Sequence, residues 1–335
     1  MKAAIYTSYG PPDVVQIADV EKPVPKDGEV LIKVRAAAVN PLDWRLMKGE
    51  PRVIRLMARL MKMSAGRPGV DVAGEVEAVG KNVTQFKPGD EVFGSCRGAF
   101  AEYACTAKSN LVTKPDNVTF PQAASVFVAG LTALQGLRDH GKIQPGNQVL
   151  INGAAGGVGT FAVQLAKTFG AHVTAVCSTR NIEMVRSIGA DEVIDYTQSD
   201  FTTSNQRYDL ILECVGNHSF SECRRVLTTA GRFVMIGAPH EMSVIGLLAL
   251  MIKPPLLSLF VSQKAVMFIA KSSQEDLTLL GELISTGKLK PVIDRSYSLS
   301  DAREALRHVE GGHARGKVII DLSTRAAGIR LKPGT

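Results

Sequence analysis

A glycine-rich run, Gly153-Ala154-Ala155-Gly156-Gly157-Val158-Gly159, separates an apolar stretch, Gln148–Asn152, from a segment carrying Val158, Ala162, Leu165, Ala166 and Phe169. The first stretch reads as a buried strand. The second reads as a helix, because its apolar residues recur at helical spacing. A further strand, His172–Cys177, closes a unit of about thirty residues. Strand, glycine turn, helix and strand in that order are what a dinucleotide-binding crossover requires. The glycines let backbone approach a pyrophosphate, and the free N–H groups of the helix start point at it. A tight turn without ligand would use the same glycines, so the run alone is weak and the complete unit strong.

The same alternation continues downstream. A helix is expected over 181–188 and strands over 192–196, 208–215 and 231–237. Repetition of this kind predicts a parallel, doubly wound sheet. The first 110 or so residues read differently. Val30, Ile32 and Val34 alternate with Leu31, Lys33 and Arg35, and Val72, Gly74, Val76 and Ala78 form another period-two run. Turn signals such as Lys26-Asp27-Gly28 and Lys87-Pro88-Gly89-Asp90 punctuate them, which predicts a β-rich domain. The tail offers a helix near 301–309 and a strand, 317–322, expected to rejoin that first domain.

The end of the second crossover strand bears on the cofactor. An NAD site places Asp or Glu there, about twenty residues after the glycines, for the ribose 2′-hydroxyl. This chain reads Val176-Cys177-Ser178-Thr179-Arg180-Asn181, with no acid until Glu183. Ser178 and Arg180 are suited to a 2′-phosphate that a carboxylate would repel. A charge-assisted hydrogen bond contributes about 1.5–3 kcal/mol. The expected cofactor is therefore NADPH, the bland alternative being that Arg180 merely opens a solvated helix.

Composition excludes several other functions. The net charge of +7 suits a phosphate-rich ligand, and no nucleic-acid motif accompanies it. Five scattered cysteines without a C-x-x-C pair argue against a disulfide framework and suit a reducing compartment. With no apolar leader at the N-terminus, a cytoplasmic location is expected. Residues 242–271 are rich in Leu, Ile, Met and Phe, but Lys253, Pro254 and Pro255 cut them too short for a membrane span. A buried helix or an apolar wall is the expectation there. Residues 45–67 mix Leu and Met with seven basic residues. They read either as a flap over a substrate cleft or as a basic helix making peripheral membrane contact. As cleft walls, the two segments would form an elongated apolar acceptor site.

Further motifs run end to end: Asn40-Pro41-Leu42-Asp43-Trp44, Gly69-Val70-Asp71-Val72-Ala73-Gly74-Glu75-Val76, Phe86-Lys87-Pro88-Gly89-Asp90-Glu91-Val92, Ala129-Gly130-Leu131-Thr132-Ala133, Gly189-Ala190-Asp191-Glu192-Val193-Ile194-Asp195-Tyr196 and Gly312-His313-Ala314-Arg315-Gly316-Lys317. With the glycine run, they make the chain resemble the quinone oxidoreductase branch of the medium-chain dehydrogenase/reductases, including chloroplast-envelope-type homologues. The resemblance implies an α/β fold in which a GroES-like β-rich domain closes on a Rossmann doubly wound parallel-sheet domain. It places the GroES-like substrate domain at 1–125, completed by about 290–335, and the Rossmann domain at 126–289. It implies that Ala155, Gly156, Gly157 and Val158 cradle the cofactor and that Tyr196 joins Ser178 and Arg180 near the adenosine phosphate. Thr132 would face the cofactor, Gly237 would lie near the nicotinamide amide, and Lys317 would come close to the cofactor. It also implies a homodimer formed through the Rossmann sheet.

What is missing constrains the chemistry. Zinc alcohol dehydrogenases of this fold ligate zinc through Cys and His. Here Met1 to Asp139 contains no histidine and only Cys96 and Cys105. The family's Gly-His-Glu reads Gly69-Val70-Asp71, and Asn40–Asp43 contains no cysteine, so no metal is expected. Without zinc to hold an alkoxide, an acceptor that spreads negative charge by conjugation is easier to reduce, such as a quinone or an α,β-unsaturated carbonyl. Asn40 and Asp43 are the candidates for lining the catalytic site, by positioning rather than proton transfer; Asp43 as a plain helix cap is the alternative. The tyrosine that enoyl-thioester reductases of mitochondrial type carry after Asn-Pro is absent from Lys48-Gly49-Glu50-Pro51-Arg52. A zinc-free carbonyl or alcohol dehydrogenase-like reductase and a non-catalytic, crystallin-like NADPH-binding protein remain open at this point.

Overall fold

In the computed structural model, residues 1–50, 66–237, 246, 256–257 and 261–323 are described. Residues 51–65 and most of 238–260 lie outside them: of the expected flap, residues 45–48 form the end of the helix Pro41–Lys48, while its centre and most of the expected apolar wall lie outside the described residues.

The N-terminal part supplies β1 (Lys2–Ile5), β2 (Gln16–Asp19), β3 (Glu29–Val39), β4 (Asp71–Val79), β5 (Glu91–Ser95), β6 (Tyr103–Ala107) and β7 (Leu111–Thr113). The Rossmann part supplies β8 (Gln148–Asn152), β9 (His172–Cys177), β10 (Glu192–Asp195), β11 (Tyr208–Glu213), β12 (Leu227–Met235) and β13 (Lys264–Met267), and the tail adds β14 (Ile293–Ser298) and β15 (Lys317–Asp321). One sheet runs β10-β9-β8-β11-β12-β13, all parallel. The order reverses between β8 and β11, which is where ligands bind in open α/β sheets. Val149, Leu150 and Ile151 of β8 are fully buried, as expected of a central parallel strand covered on both faces.

The other large sheet runs β14-β15-β3-β4-β5-β7, with β6 also on β3. At eleven residues β3 is long enough to serve three partners, and register shifts at Leu31/Ile32 and Val34/Ala36 bend it. Its simple in–out alternation is lost, because Ala36 and Ala38 pack toward the Rossmann helices while Ala37 faces the other core. Small side chains allow that close approach. One apolar cluster thus runs from Ala36, Ala38, Ala73 and Phe93 through Leu134 and Leu280 to Val149 and Ile151. The last strand, β15, pairs antiparallel with β3 (Val318 opposite Val39). A GroES-like sheet domain and a Rossmann-like parallel-sheet domain make up this α/β fold.

Sequence and structure differ in detail at strand ends. β12 begins at Leu227, four residues before the expected start, and runs through Gly231. A short 3-10 turn, Thr179–Asn181, precedes the helix Ile182–Ser187.

Candidate active site

The glycine run lies between β8 and the helix Gly157–Thr168, at the sheet's reversal point. Gly153 has φ 80°, a left-handed conformation natural to glycine. A Cβ on Gly159 would lie 2.1 Å from the Gly153 carbonyl, so a side chain there would prevent the helix from seating. Gly156 meets nothing nearer than 3.4 Å and leaves its outer face open. The cradle therefore fits a pyrophosphate held by backbone N–H groups. Ala155, Gly157 and Val158 complete it, and the tail closes one side. Gly316 N donates to the Ala155 carbonyl (2.8 Å), and Gly156 and Gly316 form a parallel bridge.

Lys317 follows immediately. Its stem lies beside Gly157, where an added Cβ would be 3.1 Å from Lys317 Cδ. Its ammonium donates to Asn40 Oδ1 (2.5 Å) and to Asp71 Oδ2 (3.1 Å). The other Asp71 oxygen accepts from Val128 N (3.1 Å), at the start of the helix Phe127–Gln135. Lys317, Asn40 and Asp71 are each at most 3% exposed. Burial pushes the Asp71 carboxyl up, and the adjacent ammonium and hydrogen bonds from Lys317 and Asn40 offset only part of it.

Asp43 sits one turn into the helix Pro41–Lys48 and forms a capping box with Asn40. Its Oδ2 accepts from Asn40 N (2.7 Å) and its Oδ1 from Gly69 N (3.2 Å). Burial, reinforced by the charge on Asp71, pushes its carboxyl up to about 7, against those two N–H donors. Asn40 and Asp43 are thus brought together, but as a dry floor whose polar atoms are engaged with the protein. Thr132 is half-buried one turn along from Val128, and its hydroxyl donates to the Val128 carbonyl (2.7 Å).

The adenosine end expected from sequence is open. Ser178, Arg180 and Tyr196 gather beyond the ends of β9 and β10, with Tyr196 N donating to Cys177 O and its ring 61% exposed. Arg180 donates to the His313 carbonyl (3.1 Å), and Arg315 donates to the Arg180 carbonyl (3.3 Å). Among the described residues, neither guanidinium pairs with a carboxylate. Asp195, the acid at the end of β10, is engaged by Thr179 and Thr197.

Gly237, at the end of β12, packs so close to Cys214 that a Cβ would lie 2.4 Å from its carbonyl. Here the structure shows two residues that sequence reasoning missed, Asn152 and Glu213, the last residues of β8 and β11, with Asn152 donating to the buried Glu213 carboxylate at 2.8–2.9 Å. The signal was present: a carboxylate ending the apolar strand Leu210-Ile211-Leu212. Asp71, a carboxylate opening the apolar strand β4, carries the same signal. Arg315 had none, since only the fold brings the tail to β9.

Two family profiles match the chain: alcohol dehydrogenase GroES-like domain over residues 26–116, and zinc-binding dehydrogenase over 188–320. Chloroplastic quinone-oxidoreductase QR1 of Triphysaria versicolor is 37% identical, covering 96% of this chain and 98% of its own. The chain belongs to the quinone oxidoreductase branch of the medium-chain dehydrogenase/reductases. The chloroplastic NADPH-dependent alkenal/one oxidoreductase of Arabidopsis thaliana is 32% identical, covering 96% of this chain and 79% of its own. Among solved structures, the quinone oxidoreductase from Coxiella burnetii superposes with a TM-score of 0.86 at 31% identity, covering 96% of this chain and 99% of that one. Membership makes the protein an oxidoreductase with a nicotinamide cofactor. Despite the name of the second profile, no group of three or more His, Cys, Asp or Glu among the described residues is placed to hold a metal. No helix among them is long and apolar enough to cross a membrane.

Proposed function

We propose that this protein is a zinc-independent, NADPH-dependent reductase of quinones or α,β-unsaturated carbonyls. The observation that carries the reading is the floor of the cleft. Where zinc relatives supply Cys and His ligands, the stretch Asn40–Asp43 has no cysteine and Val70 stands for the histidine, and Asn40 is committed to the Lys317 ammonium. Without a Lewis acid, a conjugated acceptor meets the lower barrier, because its own π-system carries the developing charge. The names of the quinone and alkenal/one relatives support the same substrate class.

Bound NADPH supplies the hydride. The protein's part is binding and orientation. Backbone N–H groups at Gly157 and Val158 take the pyrophosphate, Gly156, whose own N–H is held by the Gly153 carbonyl, leaves it room, and Lys317 fixes the tail against that loop. Thr132 and Gly237 border the space left for the nicotinamide. Asn40 and Asp43 hold the helix Pro41–Lys48 and the Gly69 turn in register beneath the acceptor. Ser178, Arg180 and Tyr196 face the 2′-phosphate, and Arg315 brings a second guanidinium to the same place. Two guanidiniums that pair with no carboxylate among the described residues favour a dianion.

The five free thiols suit a reducing compartment such as the cytoplasm. Among the described residues strand β13 ends the parallel sheet with an unpaired edge, and that edge is where a second copy would add to form a homodimer. The deciding experiment is NADPH oxidation measured against quinones, alkenals and simple ketones, with and without chelator, alongside elemental analysis. Turnover of the conjugated acceptors alone, unaffected by chelator, is expected. Turnover restricted to simple ketones, or one chelatable zinc per chain, would overturn the reading. Binding of NADPH with no turnover of any acceptor would favour a crystallin-like role.

A further inference from the structure

Glu213 is fully buried at the point where the parallel sheet reverses order. A carboxylate there is costly unless donors surround it. They do. Oε1 accepts from Asn152 Nδ2 (2.9 Å), Val215 N (2.8 Å) and Gly216 N (2.8 Å), and Oε2 accepts from Asn152 Nδ2 (2.8 Å). The backbone carbonyl of the same residue accepts from Ile236 N and Gly237 N, both at 3.0 Å. One residue thus staples the ends of β8, β11 and β12.

The staple fixes the polarity of the turn 214–216. In a planar trans peptide the C=O points opposite to the N–H. With the N–H groups of Val215 and Gly216 drawn in to Glu213, the carbonyls of Cys214 and Val215 are turned away from it. Among the described residues, no hydrogen bond reaches either carbonyl. Gly216 (φ 85°) allows the turn, and Val215, 46% exposed, is held over Gly153, where an added Cβ would be 2.7 Å from its Cγ2.

We propose that Glu213 is a positioning residue that makes residues 214–216 a ledge of carbonyl acceptors for the hydroxyls of the cofactor's nicotinamide-side ribose. The proposal rests on the dinucleotide reading above. Sheet order supplies the assignment of the ribose. The adenosine half belongs at the end of β9, the pyrophosphate on the loop after β8, and the second nucleoside must then lie over β11 and β12. The ledge is the complement of the glycine loop: one presents N–H groups to phosphate, the other C=O groups to sugar.

The test compares two ligands that differ in the half at issue: NADPH, and adenosine 2′,5′-bisphosphate, which lacks the nicotinamide ribose. Glu213→Gln sets a donor against Asn152 Nδ2 and should weaken NADPH binding, followed by nicotinamide fluorescence, by about ten-fold. Calorimetry should show adenosine 2′,5′-bisphosphate bound as in wild type. Adding Asn152→Asp swaps donor for acceptor and should recover most of the loss. Glu213→Asp keeps the charge but shortens its reach, and serves if the Gln variant does not fold. NADPH binding unchanged in both single variants, or equal loss of both ligands, would overturn the proposal. Wild-type protein that binds neither ligand overturns the dinucleotide reading and the proposal with it. A wild type that prefers NADH overturns only the cofactor choice, and the same comparison then runs with NADH and 5′-AMP.

Discussion

The two charged regions of the cleft are built in opposite ways. At the proposed adenosine end Arg180, Arg315 and Tyr196 sit at the surface, and among the described residues both guanidiniums donate only to backbone carbonyls. On the floor Lys317, Asn40, Asp71 and Asp43 are sealed from solvent and bonded to one another or to backbone. The difference separates two kinds of dependence. On the proposed reading the open end serves ligand binding and adds only exposed contacts to the fold, so its residues can change at small structural cost. The dry floor joins the GroES-like sheet, the tail and the first Rossmann helix, so a change there reaches stability before it reaches binding.

Lys317→Met is the severest way to probe the contrast. It strands the Asp71 carboxylate, and losing one partner of a buried pair costs about 3–5 kcal/mol. The unfolding midpoint in urea should fall accordingly, and an unmoved midpoint would show that the floor is not structural. Asp43 sharpens the contrast through pH. Its carboxyl rises from 3.8 to about 7 on folding, so its contribution is present in full below about pH 4 and lost as pH rises through 7. Asp71 and Glu213 shift in the same direction. Melting temperatures of Asp43→Asn should therefore fall less steeply than wild type between pH 4 and 7; parallel curves would place the titration elsewhere.

At the open end the effects are on binding. Arg180→Ala should weaken NADPH about ten- to a hundred-fold, the value of one charge-assisted bond, and leave NADH and the melting temperature unchanged. Equal loss for both cofactors, or a lowered melting temperature, would erase the distinction between the regions. Arg315→Ala should show a smaller, several-fold loss of NADPH affinity that shrinks as salt is raised, since an exposed charge is screened. A salt-independent effect would mean that Arg315 acts by holding the tail.

The contrast also explains what could be read from the sequence. Backbone-built features leave glycines in fixed places, and the loop at 153–159 with its flanking strands was legible to the residue. The open end was legible in part, because the absence of an acid after Cys177 is a local fact. The floor was not. Asp71 and Lys317 are 246 residues apart, and nothing in either neighbourhood predicts the other. Asn40 and Asp43 stand out in the sequence as site candidates, but that their polar atoms face inward depends on Gly69 and Lys317 being folded against them. Glu213 is marked in the sequence as a carboxylate ending an apolar strand, but its partners lie on three different strand ends and only the fold names them.

The β3–β15 pairing carries a consequence for how the chain is made. Val39 leaves the ribosome early and its partner Val318 about 280 residues later. At roughly 5–20 residues per second that interval is on the order of tens of seconds. Throughout it, the edge of β3 at Ala36–Val39 has no partner, although Ala36, Ala37 and Ala38 are fully buried in the finished molecule. The GroES-like sheet is therefore begun first and finished last, and the Rossmann half must form beside an incomplete neighbour. Synthesis of this protein has a vulnerable window whose length is set by topology, and a nascent-chain chaperone would find an apolar unpaired edge at Ala36–Val39.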